Sequence, residues 1–474
     1  MTWPCRTKLS WGIYLVREEE KMKRDLSVVL SLAIISGILA GCGSGSSPSS
    51  INSALSTATA EDSSDITTAT GSGDAVVELT FTGWEASPLE TEAVENGIKI
   101  FESEHPNIKV SYTPGLSGTE YTAKLLSSAA AGSLPDIMFM QSTDYRTFAS
   151  KGIIMDVTDR FDSEFSLDDF IDSSRSIMDF NGKVYGVSSC TVMPIIYYNK
   201  DLFDAAGVAY PDSNPANAWT IDQFREVAKK LTSDDVYGCY GFEVEGMWPA
   251  LMNENDGHYY DPADKKTPMF DTEENKEVFQ ALKDIREVDH SAPDATTLSN
   301  VGMTALQMFE TGKIAMLCDG SWSLQELAAT GMNIGKAPLP AFKHASSSGQ
   351  AHLHCINAKT KHPEECWEFI KFLSGEDYQK SMISSGLWMP NRKSWYTEDG
   401  LKIWYNEEVH GDDYRSMLDY FENAYADERP FTLTTETTDA VREEMQLFFS
   451  DDKSLDDAMT SAQERMMAAF KSTQ

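Results

Sequence analysis

The chain has 474 residues, with 39 Lys and Arg against 74 Asp and Glu, a formal net charge of −35 at pH 7. A polyanion of this size repels nucleic acid and anionic ligands unless a local basic pocket intervenes, so nucleic acid is excluded as a partner. Beyond Cys42 there are five cysteines, Cys190, Cys239, Cys318, Cys355 and Cys366; five cannot all pair within one chain, and none has Cys-x-x-Cys spacing.

Residues 1–21 carry no readable pattern, and Met22 followed by Lys-Arg is a better signal start than Met1. Residues 1–41 are therefore expected to be a signal peptide with a misassigned start before Met22. Lys21, Lys23 and Arg24 form a positive leader, and Leu26 to Leu39 is an apolar run too short to span a bilayer. Leu39-Ala40-Gly41-Cys42 then matches the bacterial lipoprotein box, so Cys42 is the expected lipidation site, for palmitate or a similar acyl chain. Gly43 to Asp74 is rich in Ser, Thr, Gly and Ala. Residues 42–75 are read as a lipidated cysteine and a flexible tether with a reach of roughly 30 Å. About 400 residues remain, enough for two lobes with their own cores.

Glu78 to Thr82 reads as a strand ending at Gly83-Trp84-Glu85. Ser87-Pro88-Leu89-Glu90 is a capping box, and Val94, Ile98 and Phe101 continue its helix to His105-Pro106. Ile108 to Tyr112 is a second strand, Thr119 to Ala131 a helix stopped by Gly132, and Pro135 to Met140 a third strand. Tyr145 to Lys151 is a short helix capped by Asp144. This alternation implies a mostly parallel sheet with helices on both faces. Val187 to Tyr198, Ile334 to Pro340 and Trp388-Met389-Pro390 are extended runs that suit crossings between lobes. Thr220-x-x-Gln223 opens a helix with Phe224, Val227, Ala228 and Leu231 on one face. Phe242-Glu243 and Trp248-Pro249 lie in a strand-to-helix region.

From Met308 to Trp322 the signals are dense. Phe309 ends a helix, Gly312 suits a left-handed cap, and Lys313 to Cys318 is an apolar run of strand length. Asp319-Gly320 reads as a turn, and Ser321 as the cap of a helix stopped by Gly331. Trp322 then stands on the carboxyl edge of a sheet, where open α/β sheets bind ligands. His352 and His354 share one strand face while Cys355 points to the other, so no metal site is expected. A helix carrying Trp367, Ile370 and Leu373 follows, and the last third is helical through Phe470.

Four segments resemble one family by their order and spacing. They are Ser133-Leu134-Pro135-Asp136-Ile137; Gly182-Lys183-Val184-Tyr185-Gly186 with Tyr198 to Phe203; Phe309 to Met316 with Asp319-Gly320-Ser321-Trp322; and Glu365 to Leu373. They resemble the extracellular solute-binding lipoproteins of ABC importers, in the sugar-binding group (family 1) that includes maltose-binding protein. The resemblance implies an α/β, two-lobe periplasmic-binding-protein-like fold of type II, with a hinge of extended crossings and a ligand cleft between lobes. Lobe one is expected at 76–189 and 340–387, lobe two at 190–336 and 388–474. It further implies a monomer on the extracellular face of the bacterial cytoplasmic membrane, held through its N-terminal lipid. Such a protein captures a sugar or oligosaccharide and passes it to an ABC permease, without catalysis or a cofactor.

Sugars present apolar C–H faces and a ring of hydroxyls, so their sites need aromatic plates and oriented polar groups. The resemblance matches Trp322 to the family's stacking Trp, and Trp84 with Glu85 to its first binding loop. Met140, Gln141 and Asp144 end the third strand at the same edge, with Asp144 also a candidate cap. Glu243 and Trp248 match acidic and aromatic loop positions in lobe two. Asp319, Tyr121, Trp388 and Arg429 complete the expected ligand-binding set. Where maltose-binding protein has an aromatic, this chain has Phe431-Thr432-Leu433-Thr434, which argues against a maltose-like ligand. Two rival readings remain: a surface glycosidase, for which Glu85 and Glu243 are the candidate carboxylates, and a sugar-sensing subunit for a membrane kinase.

Overall fold

The structure is a computed structural model that describes residues 76–84, 88–115 and 119–473. Cys42, the leader, the segment before Val76 and Glu85 lie outside the described residues.

Two sheets organise the chain. β1 (Val77–Trp84) pairs in parallel with β2 (Ile108–Gly115) and with β3 (Ile137–Met140). A small hairpin follows, β4 (Asp179–Phe180) and β5 (Lys183–Val184). β6 (Val187–Val192) belongs to the first sheet, and β7 (Pro194–Asn199) to the second. The second sheet adds β8 (Tyr237–Tyr240), β9 (Ile314–Gly320) and β10 (Ile334–Ala337), in the order β10-β7-β9-β8. β11 (Ser348–Ile356) returns to the first sheet, and β12 (Tyr425–Ala426) lies beside it, giving β12-β11-β3-β1-β2 with β6 also on β11.

The expected mostly parallel sheet holds for β1 to β3. β11, however, runs antiparallel to both β3 and β6. The long extended run 187–198 is two strands broken at Met193, so the expected boundary at 189/190 falls inside β6. The run at 334–340 likewise ends its pairing at Ala337, eleven residues before β11 begins in the other sheet at Ser348. Met389 stays beside the first sheet, its N–H donating to the Thr191 carbonyl at 2.8 Å.

Local chemistry explains these elements. The helix Pro88–Glu104 buries Val94, Gly97, Ile98 and Phe101, a stripe at helical spacing. The helix Ile221–Leu231 opens with the full Thr220–Gln223 capping box. β7 is buried on both faces: Ile195 and Tyr197 join one core, and Ile196 and Tyr198 the other. Alternation along the strand sends successive side chains to opposite sides, so one strand serves both cores. Each fully buried large side chain contributes about 1.5–3 kcal/mol. The C-terminal helices Glu436–Phe449 and Leu455–Ser472 supply Val441, Met445, Met459 and Met466 to the second core.

All five described cysteines are free and buried, and burial pushes Cys239 and Cys366 up to about 12, so they stay thiols. Among the described residues no helix is long and apolar enough to cross a membrane, and no group of three His, Cys, Asp or Glu is placed to hold a metal.

Candidate functional site

β1, β2 and β3 are parallel, so Trp84, Gly115 and Met140 end on one edge of the first sheet. β6 leaves that edge at Val192, and β7 enters the second sheet at Pro194. Pro194 pairs with Gly320, so β9 ends where β7 begins. The carboxyl edge of the first sheet and the edge carrying Asp319 and Gly320 are therefore joined through a single residue, Met193. Carboxyl edges of this kind are where open α/β sheets bind ligands.

Trp84 stacks on Phe139 with centroids 4.2 Å apart at 18°. Its edge meets Tyr121 at 5.7 Å and His352 at 4.9 Å. The Trp84 ring is half-buried, whereas Tyr121 is 1% exposed and donates its hydroxyl to the Thr82 carbonyl at 3.1 Å. A Cβ at Gly115 would come within 2.6 Å of the Tyr121 ring, so glycine is required there. Tyr121 is thus a wedge under the plate and not a ligand contact, contrary to expectation.

Trp322 lies over Gly320, where an added Cβ would meet its ring at 2.0 Å. It is half-buried and touches both cores without belonging to either. The strand runs two residues further than the apolar pattern predicts, because Asp319 and Gly320 pair with Ile195 and Pro194. Ser321 consequently does not cap the helix Ser323–Thr330. Its N–H donates to the Met193 carbonyl at 2.8 Å, and its Oγ accepts from the Met193 N–H at 3.3 Å, tying down the crossing. Asp319 holds the turn instead, accepting from the Gly320 N–H at 2.8 Å and from the Ser323 hydroxyl at 2.7 Å. Burial raises its pKa against those two hydrogen bonds.

The remaining expected residues divide clearly. Met140, Trp248 and Trp388 are at most 3% exposed and are core. Trp248 sits edge-on to Phe279 at 5.3 Å, and Trp388 packs against Tyr378 and Phe139. Their exposure was set by packing partners far away in the chain. Gln141 stands half-buried at the start of the helix Ser142–Ser150, in the cap position but without a side-chain cap bond. Asp144 lies inside that first turn, buried, accepting from the Thr122 hydroxyl, and burial raises its pKa. It is therefore not the cap. Glu243 is paired with Arg286 at 2.5 Å, and burial lifts it to about 7 despite that partner. Arg286 also donates to the Phe449 carbonyl at 2.6 Å, so Glu243 is committed to its own lobe. Arg429 is neutralised by a bidentate contact to Asp427, with closest distance 2.6 Å.

Three polar residues at this edge were not read from the sequence as ligand groups. His352 presents an edge to Trp84, and its Nδ1 is buried with no partner among the described residues. Burial drops its pKa to about 4, so it is neutral at pH 7 and offers one donor and one acceptor. Gln350, two residues earlier on the same strand face, donates to the Gly246 carbonyl at 3.3 Å and so links the two sheets' loops. Asp427 anchors Arg429 to β11, its own N–H donating to the Gly349 carbonyl at 2.9 Å. The alternation of Gln350, His352 and His354 was the available signal; His354 itself is taken up by the Ser189 hydroxyl at 2.5 Å.

Comparison with known proteins agrees with this architecture. The family model described as bacterial extracellular solute-binding protein matches residues 85–380. The galactooligosaccharide-binding protein of Bacillus subtilis is 23% identical over 385 residues, spanning 79% of this chain and 82% of its own. An uncharacterized lipoprotein from the oleD 5' region of Streptomyces antibioticus is 25% identical over 353 residues, 73% of this chain and 72% of its own. Among solved structures, the ABC substrate-binding protein Lmo0181 of Listeria monocytogenes, in complex with cycloalternan, superposes with a TM-score of 0.73 at 21% identity, covering 84% of this chain and 99% of that one. That likeness shows the shared two-lobe α/β fold. With the family model spanning well over half of its length, the chain belongs to the bacterial extracellular solute-binding proteins.

Proposed function

We propose that this protein is the capture subunit of an ABC importer, binding a sugar or oligosaccharide in the cleft and passing it unaltered to a permease. One observation carries the reading: half-buried tryptophans, Trp84 on Phe139 and Trp322 over Gly320, end strands of the two sheets that meet at Met193. Aromatic plates on both walls suit the C–H faces of pyranose rings, and Gln141, His352 and Asp319 supply directional polar groups beside them. A relative named for galactooligosaccharide binding supports the same ligand class. Glu243, one of the two carboxylates a glycosidase would need, is bound to Arg286, which favours binding without turnover. We further propose lipid anchoring at Cys42, a location on the outer face of the cytoplasmic membrane, a monomeric state, and closure of two lobes about the crossings near Met193 and Leu339.

The test is a thermal-shift screen of neutral oligosaccharides followed by chromatography of the recovered sugar. A binder at 100 times its dissociation constant adds about 2.7 kcal/mol. The proposal expects at least one such stabilising sugar, recovered intact. Cleaved product, or no stabilisation by any sugar, overturns it.

A further inference from the structure

A second cavity lies apart from the strand-edge cleft. Its volume is about 170 Å³, and neither Trp84, His352, Asp319 nor Trp322 lines it. Its walls come from both sides of the molecule. Arg146, on the helix Ser142–Ser150, and Phe180 of β4 face Tyr260, Lys266, Phe431 and Phe470. It opens into a wider groove that shares Arg146, Asn181, Lys266 and Phe431.

The charge arrangement here is unusual for a chain of net −35. The buried Phe431 ring lies between two cations: the Arg146 guanidinium 4.7 Å from its centroid and the Lys265 ammonium 5.5 Å from it. Among the described residues Arg146 has no carboxylate within ion-pair distance. It donates to the backbone carbonyls of Ser176 at 3.3 Å and Asp179 at 2.9 Å, and its Nε is buried without any partner. Burial depresses it to about 10, against the opposing pull of Tyr145, Asp179 and Tyr260. Among the described residues neither Lys265 nor Lys266 has an ion-pair partner, and no acidic side chain lines the smaller cavity. The wider groove does contain Asp172, Asp179 and Asp264. Asp172 is paired with Lys393, and Asp264 accepts from Thr267 and from the Lys266 N–H. Asp179 accepts from the Gly182 N–H at 3.4 Å.

We propose that this cavity is a second ligand site, for a small anion whose carboxylate or phosphate group meets Arg146 and Lys266 while a planar apolar body packs against Phe431, Phe180 and Tyr260. The volume equals about five or six waters, room for one ring with one anionic group. An anionic oxygen group supplies the charge that the buried guanidinium lacks, and Arg matches such groups in a planar, bidentate way. Because the walls come from both lobes, the occupant bridges them.

The probe is benzoate, titrated into the protein by ligand-observed NMR, with benzyl alcohol as its neutral counterpart and phenyl phosphate as the second anion. Saturable benzoate or phenyl phosphate binding is expected, with benzyl alcohol at least tenfold weaker. Lys266→Glu should weaken the anion at least tenfold. Lys266 makes no side-chain hydrogen bond or ion pair among the described residues, so that variant keeps the fold, which an unchanged melting point will verify. Arg146→Gln should act in the same direction. Equal binding of benzyl alcohol, no saturable binding of either anion, or an unaltered affinity in a well-folded Lys266→Glu protein overturns the proposal.

Discussion

Replacing Trp322 by alanine separates a ligand plate from a core residue. The ring lies over Gly320 and is half-buried, touching both cores from outside. A sugar stacked on it gains about 0.5–1.5 kcal/mol of aromatic contact beyond area. Burial of the ring's remaining apolar surface adds part of the roughly 1.5–3 kcal/mol of a large side chain. Trp322→Ala should therefore weaken sugar binding tenfold to a hundredfold, since about 1.4 kcal/mol is one decade. Unliganded stability should fall by only about 1–2 kcal/mol, because part of the ring already faces water. Trp248 supplies the internal control: it is 2% exposed and edge-on to Phe279, so Trp248→Ala should cost about 3–5 kcal/mol. The assay pairs isothermal titration with urea unfolding of both variants. If Trp322→Ala loses as much stability as Trp248→Ala while keeping its affinity, Trp322 is core and the cleft is misplaced.

Three further outcomes are expected. Gly320→Ala forces a methyl to 2.0 Å from the Trp322 ring, so it should tilt the plate and weaken sugar binding severalfold, read by titration against wild type. Burial lifts Glu243 from the ordinary 4.5 to about 7, so the native state binds the extra proton between those values and stability falls as pH rises from 4.5 to 7. The size is on the order of 1–3 kcal/mol at about 1.36 kcal/mol per unit; melting curves across that window should flatten in Glu243→Gln, and an unchanged slope would contradict the assignment. Metabolic labelling with a fatty-acid analogue should tag wild type and leave Cys42→Ser unlabelled; equal labelling rules out that anchor.

The two plates were legible because each follows a strand and a turn whose signals are local: Gly83 before Trp84, and Asp319-Gly320 before Trp322. Tyr121, Met140, Trp248 and Trp388 were not, because burial is decided by partners distant in sequence, such as Thr82 for Tyr121 and Tyr378 for Trp388. The exchange of roles between Ser321 and Asp319 has the same origin. Pairing of Asp319 with Ile195 extends the strand, and no local pattern near Asp319 announces it. His352 was visible as one of two imidazoles on a strand face, but only the structure brings Trp84 to its edge.

One uncleaved sugar is expected to be held between Trp84 and Trp322. Isothermal titration of the stabilising oligosaccharide into wild type and into the Trp84→Ala, Trp322→Ala double variant tests it most directly. One site per chain is expected in wild type and, in a variant that still folds, affinity lower by at least a hundredfold. Unchanged affinity in the folded double variant would contradict it.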